Sequence, residues 1–295
     1  DGRYVQGTSE DMIVWKAQSF AALDVYLDAT GRELTVRFGM HQTAPGHSMN
    51  FATGIGIFQA VRIARDKATP CYVLTLRDGA KLEGFYVSRE GGELRLHLKK
   101  RKTLSAGEKP LAGFSFVIDA GHGGNDSGAL GMMGGAMPEK AINLSNARRL
   151  SLRLAQLGAN VTTIRTTDVF YTLHERTETS RKARPDMFIS IHANSMAETT
   201  DASSIRGITV WYRNVSSKPL ADLLMRDLFT INPGTTRRQV SNQSNFYVCR
   251  PSWAPSVIIE ASFMCNIDDF AWLINEGEQD RLAEATAQAI LNYYR

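Results

Sequence analysis

The sequence predicts two domains of different class. Residues 1–110 read as a small, mainly-β domain. Residues 111–295 read as an α/β domain with a mostly parallel sheet flanked by helices. Three observations carry this. The first hundred residues hold short apolar runs with partial alternation, separated by turn-formers. From residue 111, apolar runs of strand length alternate with amphipathic stretches of helix length, as in a parallel sheet with crossover helices. Between them lies KKRKTLSAGEKPLAG, residues 99–113. It is basic, then Ser-, Gly- and Pro-containing, and lacks apolar periodicity, so a linker is expected there with the boundary near 110.

In the first domain the expected strands are Met12–Trp15, Leu23–Leu27, Leu34–Phe38, Cys71–Leu76, Leu82–Val87 and Leu94–Leu98. Gly31, Gly79 and Gly91-Gly92 mark turns between them, which suggests a small sandwich or open barrel. Phe58–Lys67 reads as one helix. His41, His47 and His97 share no spacing with cysteines or carboxylates, so surface or packing roles are expected. In the second domain, Phe114–Ile118 is a buried strand running into a glycine-rich loop. Pro138-Glu139-Lys140 opens a helix whose inward face is Ile142, Ala147, Leu150, Leu154 and Leu157, with Gly158 at its end. Val161–Ile164, Met187–Ile191, Ile208–Tyr212, Phe246–Cys249 and Val257–Ile259 are expected strands. Leu173–Ala183, Pro219–Phe229 and Leu282–Tyr293 are expected helices.

Composition excludes several classes. The chain of 295 residues is 43% hydrophobic and 22% charged, ordinary for a globular protein. No apolar run reaches the length of a membrane span. The first residues, DGRYVQGTSE, lack the charged start and apolar core of a signal peptide, as a mature secreted chain also would. The net charge of +4 comes from the first 110 residues, with 16 Lys and Arg against 12 Asp and Glu, while the remainder holds 18 of each. That excess is too small for a nucleic-acid footprint. Cys71, Cys249 and Cys265 form no Cys-x-x-Cys pair, and the apolar surroundings of Cys249 and Cys265 favour core thiols over a bridge.

The chemistry gathers at strand ends. His122 follows the 114–118 strand, His192 follows the 187–191 strand, and Glu260 follows the 257–259 strand. Glu139 stands at a helix start after the glycine loop. If those strands are sheet neighbours, all four groups meet in the crevice at the carboxyl ends of the strands. Two imidazoles and a carboxylate form a zinc ligand set that leaves the fourth position open. A further glutamate can then act as general base and acid. A polar cluster without metal is the other reading of these four residues. His174-Glu175 lacks the second histidine of a zinc-binding helix, nothing identifies a base and orienting acid for Ser127, so a loop-shaping role is expected there, and GHGGND is no phosphate loop.

Several motifs together resemble a known family. VIDAGHGGNDSGALG carries His122, PEKAINL carries Glu139, MFISIHAN carries His192 and VIIEASFMCN carries Glu260. TIRTTD, LHER and NFYVCR add support. In this order they resemble the zinc-dependent N-acetylmuramoyl-L-alanine amidases of the amidase 3 type, over about residues 114–295. Ile-Asp-Ala-Gly-His stands where proline often precedes the glycine, and Glu-Ala-Ser-Phe where Glu-Leu-Gly-Phe is commoner; neither change removes a donor.

The resemblance implies one Zn2+ held by His122, Glu139 and His192, with Glu260 catalytic. It implies peptidoglycan as substrate and partner, cleaved between N-acetylmuramic acid and L-alanine, and an extracytoplasmic bacterial setting. Asn194 and Asn245 are candidates for hydrogen bonds to the stem peptide, with loop shaping the other role for Asn194. Residues 1–110 would target or position the enzyme at the envelope. Only Ser195–Arg206 separates the second histidine from the next strand, too short for a blocking helix, so an open site is expected. Two alternatives remain: a wall-binding or regulatory protein with the fold and no turnover, and a zinc peptidase cutting within the stem peptide.

Overall fold

The computed structural model describes residues 2–16, 23–38, 56–66, 69–196, 203–232 and 241–295. They belong to two compact units, Asp1–Lys102 and Thr103–Arg295. The first unit consists of strands β1 (Arg3–Val5), β2 (Glu10–Lys16), β3 (Leu23–Leu27), β4 (Glu33–Phe38), β5 (Phe58–Asp66), β6 (Thr69–Leu76), β7 (Leu82–Glu90) and β8 (Glu93–Lys100). They form two antiparallel sheets, ordered β1-β2-β8-β7 and β3-β4-β6-β5. Alternation gives each sheet one apolar face. Ile13, Trp15, Leu96 and Leu98 from one sheet share a core with Leu34, Val36 and Leu74 from the other. The β7–β8 hairpin turns on Gly91 and Gly92, both at positive φ (55° and 76°), as a two-residue turn matched to strand twist requires.

The second unit contains β9 (Ser115–Ala120), α1 (Glu139–Gln156), β10 (Asn160–Thr163), α2 (Leu173–Ala183), β11 (Met187–Asn194), β12 (Thr209–Tyr212), α3 (Lys218–Phe229), β13 (Asn242–Gln243), β14 (Ser256–Phe263), α4 (Ile267–Ile274) and α5 (Glu276–Tyr294). Its sheet has the order β10-β9-β11-β14-β12-β13. The first four of these strands run parallel, and only β12 is antiparallel to its neighbour β14. Phe116 and Ile118 of β9 face the larger core, with Leu150 and Leu154 of α1, Leu224 of α3 and Ile290 of α5. Val117, between them, faces a smaller cluster on the other side with Phe188, Cys249 and Ile258. Both faces of the sheet are therefore covered, as parallel sheets require.

Three expectations need correction. Phe58–Asp66 is strand β5, not a helix. Its spacing fits both, and antiparallel pairing with β6 decides the matter. Tyr247–Cys249 is a 3-10 turn rather than a strand, because Val248 and Cys249 pack inward under β14 instead of joining the sheet. Lys99 and Lys100 end β8 rather than opening a linker. The division falls at 102/103, since Leu111 is fully buried in the larger core and its N–H donates to Leu157 O at 2.9 Å. Strands β1 and β13, helix α4 and the first turns of α5 also escaped the sequence reading. His41 and His47 lie outside the described residues. His97 is buried in a packing role, between Ser88 Oγ (2.8 Å) and Glu10 Oε1 (3.0 Å) and stacked on Tyr86.

Candidate metal centre

Strands β9, β11 and β14 are adjacent and parallel, so their carboxyl ends open on one crevice. Register sets the heights of the side chains: Ile191 pairs with Ala120, and His192 with Glu260. His122 stands two residues beyond Ala120, on the turn out of β9. It takes φ 61°, a left-handed conformation that costs a non-glycine residue about 1–2 kcal/mol. Glu139 comes from the other direction, on the first turn of α1 behind Pro138.

The structure brings three of these residues together. One donor atom from each of His122, Glu139 and His192 lies within 4.8 Å of the others. His122 Nε2 is 3.2 Å and His192 Nδ1 3.1 Å from the same oxygen, Glu139 Oε1. That oxygen also accepts from Ala193 N (3.1 Å) and Asn143 Nδ2 (3.0 Å), while Oε2 accepts from Ala129 N (3.0 Å). Asp126 Oδ2 sits 2.8 Å from His122 Nδ1 and so directs Nε2 inward, the usual arrangement behind a ligating imidazole.

Burial would raise the Glu139 carboxyl, but the two imidazoles beside it hold it well below the usual carboxylate range. Burial likewise opposes charge on His122, yet Glu139 and Asp126 lift its pKa to about 9. His192 is raised against the same opposition, mainly by Glu139. Ligation needs neutral rings, so a cation entering here competes with protons. Glu260, one strand over from His192, is pushed up to about 7, chiefly by burial. Its Oε2 is sequestered without a hydrogen-bond partner among the described residues.

The donor set fits zinc: two imidazoles and one carboxylate converge, and an unsatisfied carboxylate oxygen stands beside them. Glycines make the approach close enough. A Cβ on Gly121 would lie 2.2 Å from His192 Cε1, and one on Gly128 (φ 64°) 2.5 Å from Glu139 Oε2.

The other candidates stand apart from this cluster. Asn194 Oδ1 accepts from Ser195 N at 2.9 Å and its carbonyl accepts from Met264 N at 2.7 Å, which shapes the loop after β11. Asn245 is exposed, just past edge strand β13, and its carbonyl accepts from Arg250. Residues 197–202, within the segment expected to leave the site open, lie outside those described. Sequence reasoning missed Asp126, four residues after His122, and Asn143, one helical turn after Glu139. The i+4 spacing on α1 was the available signal for Asn143.

Two outcomes are expected. Gly121→Ala should displace His192 and abolish stoichiometric zinc uptake while far-UV dichroism stays that of the parent; metal analysis after dialysis checks this. The second concerns pH. A carboxyl raised in the folded state holds its proton between about pH 4.5 and 7 while the unfolded chain releases it, so folding stability falls as pH rises through that window. Glu260→Gln removes this loss. In chelator-stripped protein it should match the parent near pH 4 and exceed its stability by on the order of 1–3 kcal/mol at pH 8, as read by urea unfolding.

Comparison with known proteins places the second unit. The profile of the N-acetylmuramoyl-L-alanine amidase family matches residues 116–292. N-acetylmuramoyl-L-alanine amidase LytC of Bacillus subtilis (strain 168) is 35% identical over 188 residues, 64% of this chain and 37% of LytC. The chain thus spans little more than a third of that relative. Among solved structures, the catalytic domain of CwlV, an N-acetylmuramoyl-L-alanine amidase from Bacillus (Paenibacillus) polymyxa var. colistinus, aligns with TM-score 0.56 at 31% identity. The alignment covers 61% of this chain and 97% of that one. An N-acetylmuramoyl-L-alanine amidase from Clostridium difficile 630 aligns with TM-score 0.56 at 33% identity, over 62% of this chain and 97% of that one. Zinc dependence is general in the family. Through the segment that carries His122, Glu139, His192 and Glu260, this chain belongs to the N-acetylmuramoyl-L-alanine amidase family.

Proposed function

We propose that this chain hydrolyses the amide between the lactyl group of N-acetylmuramic acid and L-alanine of the peptidoglycan stem peptide. The observation that carries the reading is the convergence of His122, Glu139 and His192, with Glu260 in register beside them. His122, Glu139 and His192 would hold one zinc ion. Zinc, when bound, supplies Lewis acidity, polarising a carbonyl and bringing the pKa of a water towards about 7.

The remaining work falls to the protein. Glu139 keeps both imidazoles aimed inward, and Asp126 fixes the His122 tautomer. Glu260 Oε2 takes the proton of the attacking water as its oxygen adds to the amide carbon. The C–N bond then breaks, and the same oxygen delivers that proton to the departing L-alanine nitrogen. Without metal, burial pushes this carboxyl up to about 7, and a group that must both accept and return a proton works best with a pKa near the operating pH.

An extracytoplasmic setting follows from the substrate. No helix among the described residues is long and apolar enough to cross a membrane. Holding the chain at the envelope falls, in the same proposal, to the β-sandwich unit. Co-sedimentation of the full chain with insoluble peptidoglycan, lost when the basic residues Lys99–Lys102 are changed to Ser, is the expected result.

Glu260→Gln should retain zinc and lose turnover by at least about 100-fold. Mass spectrometry of digested muropeptides is the decisive readout. Stem peptides with a free N-terminal L-alanine support the proposal, whereas peptide-internal cuts or intact muropeptides from the parent chain refute it.

A further inference from the structure

Two arginines, Arg165 and Arg176, are almost fully buried beneath the turn that delivers His122. Arg165, just past β10, donates from Nε to Ala120 O (2.9 Å) and from Nη2 to Gly121 O (2.9 Å) and Lys140 O (2.7 Å). Its Nη1 reaches Thr167 O at 3.3 Å. Arg176, on α2, donates from Nη1 to Ala120 O (2.8 Å) and Asp119 Oδ1 (2.5 Å), from Nη2 to His122 O (2.9 Å), and from Nε to Tyr171 O (3.0 Å). Ser190 Oγ donates to the other oxygen of Asp119 at 2.7 Å.

Three consecutive carbonyls, those of Ala120, Gly121 and His122, are thus held by two guanidinium forks at the point where the chain leaves the sheet. Burying a guanidinium is costly unless its donors are satisfied. Asp119 neutralises Arg176, but the hydrogen bonds of Arg165 all run to backbone carbonyls. An apolar side chain would fill that volume without desolvating a charge. What the fork supplies is geometry, because one planar group ties the exit of β9 to Lys140 O, next to Glu139 on α1. The left-handed backbone of His122 is the strained element this tie over-determines. A second tie lies nearer the surface: Lys140 Nζ donates to Gly124 O (2.7 Å) and Asp168 Oδ2 (2.6 Å), and Gly124 N donates to Asp168 Oδ1 (2.8 Å).

We propose that Arg165 and Arg176 are positioning residues of the metal centre, fixing the spacing of His122 from Glu139 before any cation arrives and thereby setting its affinity and geometry for zinc. This rests on the metal-centre reading above. Neither arginine touches metal or substrate; both act through the backbone.

The test uses the full chain. Arg165→Lys and Arg176→Lys keep the charge and lose the fork. Zn(II) affinity is measured by competition with a chromophoric chelator, and site geometry by the visible spectrum of the Co(II)-loaded protein. Thermal unfolding of the stripped protein reports the fold. The expected result is a folded protein with 10–100-fold weaker zinc binding and altered Co(II) bands. Arg149→Lys, on a surface ion pair with Asp280, should change neither. Folded lysine variants with parental affinity and spectrum, whatever their melting temperature, would overturn the proposal.

Should the variants not fold, hydrogen exchange on the parent decides. The 120–124 segment must be protected without zinc, and exchange there that is slow only after zinc loading also overturns the proposal. A parent chain that binds no stoichiometric zinc is a separate outcome, which refutes the metal centre itself.

Discussion

A carboxylate buried at the crevice floor organises this unit. Glu139 is 4% exposed, and leaving such a charge unpaired would cost several kcal/mol. Three N–H donors and two imidazoles resolve that cost, and together they come from four parts of the chain. Ala129 N comes from the glycine loop, Ala193 N and His192 from the end of β11, Asn143 from the same helix, and His122 from the end of β9. Satisfying one anion therefore fixes the relative positions of two strands, a loop and a helix. The same demand explains the glycines at 121 and 128, where any side chain would push His192 or Glu139 away.

Stability and precision are divided between regions. The apolar faces of the sheet, with Phe116, Ile118, Ile189, Ile191, Val257 and Ile259 against α1, α3 and α5, supply the bulk of the burial. The polar network lies past the carboxyl ends of those strands, where no ladder partner remains for the departing carbonyls. Buried ion pairs such as Asp119–Arg176 (2.5 Å) are weak sources of net stability. Their value here is that a hydrogen-bonded fork permits only one backbone path. A site built this way keeps its donors aimed, while Glu260 Oε2 stays buried without a hydrogen-bond partner among the described residues.

Legibility varied with how local the determinants were. The α2 helix matches its expected span because its start is written in neighbouring residues: Thr172 accepts from Glu175 N, and Glu175 reaches back to Thr172 N. The apolar strands β9 and β11 were equally plain, since four or more inward residues run together. β5 was not. Its Phe58, Val61 and Arg65 fall near helical spacing, and it lies at a sheet edge, so only pairing with β6 makes it extended. The 99–113 segment looked like a linker by composition, yet a single fully buried leucine, Leu111, anchors its end to the second core.

The sequence by itself determined which residue types could do chemistry and where along the chain they fall: His122, His192 and Glu260 after apolar strands, Glu139 at a helix start. It also carried the family likeness, because those motifs are short and contiguous. Only the tertiary structure decided that His122, Glu139 and His192 meet with Glu260 in register beside His192, since sheet order places β9, β11 and β14 side by side although α1, β10, α2, β12, α3 and β13 intervene in the chain. It alone disclosed Asp126, Asn143, Arg165 and Arg176 as supports. Hydrogen bonds to backbone carbonyls leave almost no pattern in sequence; they depend on where the chain runs in space.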